Sequence, residues 1–174
     1  MTPIKQRPIG PVMAFGLLAG ASLVITSLLF LATGREVVMN PRLNNLLYCL
    51  LIIACFFGVK KLRDDLAGGL ITYGRAFASG FKIVLVAAIL HALGIFFLYA
   101  SRPDLSEKYK TVMLDMFKEV HGDSIFYAMA AETFDKVHMP AFIALEELLG
   151  KVLTGTFICL IIAAILRRAA RPNA

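Results

Sequence analysis

At 174 residues, with 59% apolar and only 17% charged side chains, the chain has room for one domain but too much apolar area for a soluble one. A folded chain near 19.0 kDa still exposes roughly a third of its surface, so lipid is the simplest solvent for the excess. The formal net charge of +6 does not signal nucleic acid, because the basic residues sit at the ends of apolar runs, no basic stripe is interleaved with aromatics and there is no Trp.

The first apolar run, Pro11 to Thr33, is uncharged and follows Lys5 and Arg7. About 23 residues at 1.5 Å rise cross a hydrocarbon core of roughly 30 Å. It lacks the short apolar centre and small-residue cleavage pattern of a signal peptide, so a retained helix over about residues 10–33 is predicted. Gly16 and Gly20 form a G-x-x-x-G step that lets another helix approach closely.

The second run, Leu46 to Val59, is short. It spans as a helix over about 43–60 if Leu43, Asn44 and Asn45 lie at one headgroup layer and Lys60 and Lys61 snorkel at the other. Pro41 suits a first helical turn. Residues 60–77, with glycines at 68, 69 and 74, read as a turn-rich basic loop without phosphate-loop spacing.

The third run, about 76–100, contains Lys82 near one end and His91 near its centre. Gly80, Val84, Ala87, His91 and Gly94 share an arc of about 80°, a small-residue face of the kind helices use to pack in lipid. Residues 101–140 form the sizeable polar segment. Leu105, Tyr109, Val112, Met113, Met116, Phe117 and Val120 repeat with helical period, which predicts an amphipathic helix over 103–120. His121-Gly122-Asp123-Ser124 supplies a stop and then a cap, and a second helix runs from Ile125 to about His138. The last helix, about 141–167, carries Glu146, Glu147 and Lys151 in its first half and begins before the membrane. The predicted fold is therefore all-α and polytopic: four transmembrane helices, with an extracytoplasmic amphipathic helical hairpin between the third and fourth, in a single membrane domain.

Orientation follows from charge. Lys5, Arg7, Lys60, Lys61, Arg63, Arg75, Arg167, Arg168 and Arg171 face only Asp64 and Asp65 if both termini and the 60–75 loop share a side. The positive-inside rule places that side in the cytoplasm; the membrane expected for the chain is a bacterial inner membrane.

Three stretches carry a family resemblance: Gly-Gly-Leu-Ile-Thr-Tyr-Gly-Arg-Ala-Phe-Ala-Ser-Gly-Phe-Lys at 68–82, the charged hairpin, and Leu-Ile-Ile-Ala-Ala-Ile-Leu-Arg-Arg at 160–168. Tyr73, Ala76, Phe77, Gly80 and Phe81 fit the pattern most specifically. The chain resembles a domain-of-unknown-function family of small four-helix inner-membrane proteins of Bacteroidota. The resemblance supports the topology and implies no activity, cofactor or catalytic residue. It implies envelope-related partners, a polyprenol-phosphate glycosyltransferase among them.

Four residues are candidates for function. His91 is an ionisable group at bilayer depth, suited to a proton relay or ligand contact. Its plain reading is a neutral ring bonded to a neighbouring helix through Thr26, Ser27, Thr154 or Thr156. Lys82 either snorkels to the headgroups or meets an anionic lipid or substrate phosphate. Glu146 and Glu147 could draw a cation to the bundle mouth, although Glu147 and Lys151 at i,i+4 also make an ordinary surface ion pair. Met113, Met116, Met129 and Met139 suit core filling better than Cu(I). His121 and His138 with Asp123 and Asp135 form no compact zinc set. Cys49, Cys55 and Cys159 read as buried, inert thiols. No nucleophile elbow or metalloprotease motif is present.

Three functions follow. The first is a non-enzymatic accessory or interaction subunit of an envelope assembly, self-associating or binding other membrane proteins through small-residue faces. The second is a small oligomeric carrier or channel with His91 in a polar path. The third is a lipid-processing partner of the glycosyltransferase, using Lys82 and the basic loop.

Overall fold

The computed structural model describes residues 9–35, 37, 39–122 and 125–168. Lys5, Arg7, Arg171 and the capping residues Asp123 and Ser124 therefore lie outside the described residues. Six α-helices follow in order: α1 (Ile9–Ala32), α2 (Pro41–Lys61), α3 (Tyr73–Ser101), α4 (Pro103–His121), α5 (Ile125–Lys136) and α6 (Met139–Leu166). Four of these, α1, α2, α3 and α6, are long and apolar enough to cross a membrane. The chain packs as two compact units. One comprises the chain up to His91 together with the chain from Leu148; the other is Ala92–Glu147.

In the first unit, α1 and α3 run together and α2 and α6 run against them, an arrangement set by small residues. A Cβ on Gly16 would stand 2.8 Å from Val86 Cβ and 3.3 Å from the Ile83 carbonyl oxygen. One on Gly20 would stand 2.8 Å from Leu90 Cβ and 3.2 Å from Ala87 Cα. The G-x-x-x-G step is thus the surface on which α3 lies. On another side of α3, Gly80 meets Cys159, and Val84 fills the space left by Gly155 of α6. Gly58 of α2 accommodates Phe15 and Ile83. The most apolar stretch of α3 is 44% buried, against 28% to 33% for α1, α2 and α6, so α3 is the hub.

The outward faces are apolar. Leu18, Leu29, Leu153, Phe157, Ile161 and Ile165 are all exposed. Each would cost about 1.5–3 kcal/mol in water relative to burial, and costs little against acyl chains.

The second helix is longer than its apolar run suggests. Asn40 caps it, its side-chain oxygen accepting from the Arg42 and Leu43 amides at 3.1 and 3.3 Å, and Pro41 occupies the first turn. At its other end the helix widens into a π-type turn over Leu62–Leu66. The loop predicted over 60–77 is correspondingly short. Gly68 and Gly69, at φ +61° and +80°, reverse the chain, and α3 already begins at Tyr73. Gly74 needs no turn; it lies in the first turn of α3. Ile71 and Arg168 exchange two backbone hydrogen bonds at 3.0 and 2.9 Å, tying this turn to the end of α6. The start of α1, the α2–α3 turn and the end of α6 therefore share one end of the bundle, which gathers Lys60, Lys61, Arg63, Arg75, Arg167 and Arg168.

The second unit holds the end of α3, the α4–α5 hairpin and the start of α6. Tyr109 and Phe134 are its buried aromatic anchors. Phe134 makes edge contacts with Phe117 of α4 and Phe142 of α6 at 6.1 and 6.0 Å between centroids. Ser106 donates to the Tyr99 carbonyl at 3.1 Å, fixing the sharp turn from α3 into α4. Lys110 pairs with Asp135 across the hairpin.

Candidate functional site

His91 lies 1% exposed on the inner face of α3. Its Nε2 is 3.0 Å from the Ser27 hydroxyl of α1, so of the four hydroxyls that the sequence offers it, the fold selects Ser27. Ser27 is itself buried, about two turns beyond the Gly20 contact. Lys151 of α6 is also buried, at 3% exposed, and its charge acts on His91. Its burial takes Lys151 off the solvent-exposed surface that its i,i+4 reading with Glu147 assumed. Nothing in the sequence separated this lysine from an ordinary snorkelling one.

Lys82 is nine residues before His91 on α3, on the opposite side of the helix by about 180°. It is exposed and helps line a cavity of about 170 Å³ at the basic end, with Val12, Met13, Leu62, Arg75, Ala78 and Ser79. Lys82 and His91 therefore do not form one site.

Glu146 and Glu147 belong to the second unit. Glu146 is exposed and accepts a hydrogen bond from the Tyr109 hydroxyl. Burial, and then that carboxylate, push the Tyr109 phenol above its ordinary range. Nearby, bonding to Asp135 raises the Lys110 ammonium, and the Arg102 guanidinium holds the Asp104 carboxyl below the usual carboxylate range. A cavity of about 350 Å³ lies between α4 and the α5–α6 connection, lined by Ser106, Glu107, Lys110, Asp135 and His138 among others. Its charged groups are partly spent on each other, Lys110 with Asp135. Glu146 acts here as the acceptor that anchors Tyr109.

Among the described residues, no three His, Cys, Asp or Glu side chains converge as a metal site. His121 and His138 pack as aromatic rings, His121 on Phe117 and Phe126 and His138 on Phe96. Cys55 and Cys159 are buried side by side between α2 and α6, whereas Cys49 is exposed, which corrects its reading as a buried thiol.

Four membrane-length apolar helices with outward apolar faces and a close-packed small-residue interior define an all-α integral membrane protein. Residues 14–168 match the family described as "Protein of unknown function (DUF4199)", and the chain belongs to that family. No curated protein and no solved structure matches the chain.

Proposed function

We propose that the protein is a non-enzymatic accessory subunit of an envelope assembly, seated in a bacterial inner membrane with both termini cytoplasmic and the α4–α5 hairpin outside. The observation that carries this reading is the free end of the hairpin. Met116, Val120, Ile125, Phe126 and Met129 are 47% to 75% exposed there, on helices whose other faces are charged. In water such a patch marks a contact surface. The charge asymmetry supports the orientation, since basic groups collect at the end of the bundle that holds the α2–α3 turn and the end of α6.

Photo-crosslinking in native membranes tests this. A photoreactive residue at Phe126 is expected to capture a discrete protein, and one at the lipid-facing Leu153 is not. Lipid adducts alone at Phe126 would overturn the assignment.

A second reading has its own observation, the His91–Ser27 bond inside an apolar bundle beside buried Lys151. It makes the protein an oligomeric carrier with His91 on a polar path. Proteoliposome flux abolished by His91→Ala would favour it; unchanged flux removes its support.

A further inference from the structure

The basic end of the bundle holds a small site that the proposed interaction role does not use. Arg75, Ser79 and Lys82 are spaced i, i+4 and i+7, so they fall within an arc of about 60° on the first three turns of α3. All three line the 170 Å³ cavity. Its remaining wall is apolar and comes from Ala78 of α3, Val12 and Met13 of α1 and Leu62 just after α2. That volume is about six water molecules' share of the liquid, enough for a tetrahedral oxyanion.

The charges are what make it a site. Two of the neighbouring cations at this end are neutralised locally: Lys61 bridges Asp65 at 3.2 Å, and Arg63 is held by Asp64 at 2.6 Å. Among the described residues, neither Arg75 nor Lys82 has a carboxylate partner. Ser79 is only 8% exposed and lines the cavity. A guanidinium fork, an ammonium and a hydroxyl donor converging on one hollow provide donors and positive charge without an acidic group, the complement of a phosphate.

We propose that Arg75, Ser79 and Lys82 bind the phosphate of an anionic ligand, with Arg75 and Lys82 clasping its oxygens and Ser79 donating from the cavity floor. Beside the cavity, Met13 is exposed and Leu17 continues its face one turn along α1, an apolar track on which a lipid's acyl chain can lie. The same phosphate chemistry fits a membrane phospholipid or a free phosphate, and the test separates them.

Purified full-length protein in neutral detergent is titrated with phosphatidate, phosphatidylglycerol, phosphatidylcholine and inorganic phosphate, and binding is read by native mass spectrometry and by thermal shift. Arg75→Gln with Lys82→Gln is expected to weaken binding about tenfold or more, and Ser79→Ala about threefold to tenfold. The charge-matched control, Lys60→Gln with Lys61→Gln, is expected to change it less than about twofold. Anionic lipids binding above phosphatidylcholine, with inorganic phosphate inert, assigns a lipid. Inorganic phosphate binding with the same variant pattern assigns a free phosphate. Equal losses in the two double variants, or no preference for any phosphate monoester or anionic lipid over phosphatidylcholine, overturns the proposal. The substituted charges are solvent-accessible, so an unchanged unliganded melting temperature verifies that the variants fold.

Discussion

The two units of this chain are each held together by different forces, and under the proposed topology the difference follows from the solvent each one meets. The helical bundle is built on close approach: Gly16 and Gly20 against α3, Gly155 against Val84, and Gly58 against Phe15 and Ile83. Its outer side chains contribute nothing to association, because acyl chains are as apolar as Leu. The hairpin unit has few buried aliphatic residues. It relies on polar pairs and rings instead: Tyr109 on Glu146, Lys110 on Asp135, Ser106 on the Tyr99 carbonyl, and the Phe117–Phe134–Phe142 chain. Van der Waals fit governs where the hydrophobic effect is silent, and water-exposed segments need directional bonds and ring contacts.

The sharpest way to break the comparison is at the glycines. Gly16→Leu with Gly20→Leu forces α1 from α3 and is expected to cost about 1–3 kcal/mol per site, the usual range for overpacking. Reversible unfolding in mixed micelles measures it. Hydrogen exchange at Pro103–Lys136 should stay unchanged if the hairpin is held by its own contacts.

Next is Tyr109→Phe, which removes a hydrogen bond to a carboxylate and is expected to destabilise the hairpin unit by about 1.5 kcal/mol. It carries a pH signature. The folded state holds the Tyr109 proton more tightly than the unfolded chain, whose tyrosine ionises near pH 10. The stabilisation is therefore complete below about pH 10 and is lost as pH rises above it. Melting temperature against pH should fall less steeply on the alkaline side in the Phe variant. Asp104 has the opposite sign: its carboxyl is depressed by Arg102, so its contribution is present above about pH 4 and fades as pH falls.

Ser27→Ala leaves His91 buried without its hydroxyl neighbour. Interhelical hydrogen bonds in bilayers average about 0.6 kcal/mol, and the same unfolding measurement should show a loss of that size. The smallest stability effect belongs to the exposed patch. Val120→Ser with Phe126→Ser is expected to shift stability by less than about 0.5 kcal/mol while abolishing partner capture.

Much of the bundle is readable in the sequence. The G-x-x-x-G step and the Gly80–Val84–Ala87–His91 stripe correspond to observed packing faces, and in the helical pattern of α4 Tyr109 and Phe117 pack while Met116 and Val120 lie exposed. What hydropathy missed was local backbone chemistry. Asn40 and Pro41 start α2 ahead of its apolar run, although Arg42, Asn44 and Asn45 lower the hydropathy there. Gly74 resembled a loop residue because glycine lowers helix propensity, but a helix dock tolerates it in a first turn. Burial of Lys151 depends on space left by other helices, which no window along α6 contains. The Arg75–Ser79–Lys82 face was visible as a spacing, while the wall that makes it a cavity comes from Val12, Met13 and Leu62, far away in the chain.

The claim that the two units meet different solvents is tested most directly by single-cysteine labelling in intact cells, in a background with Cys49, Cys55 and Cys159 replaced. An impermeant maleimide added outside should modify cysteine at Asp115 on the hairpin, should reach Gly69 only after the membrane is permeabilised, and should fail at Leu153 and Ile161 in both cases. Labelling at Leu153 and Ile161, or at Asp115 only after permeabilisation, would contradict the account.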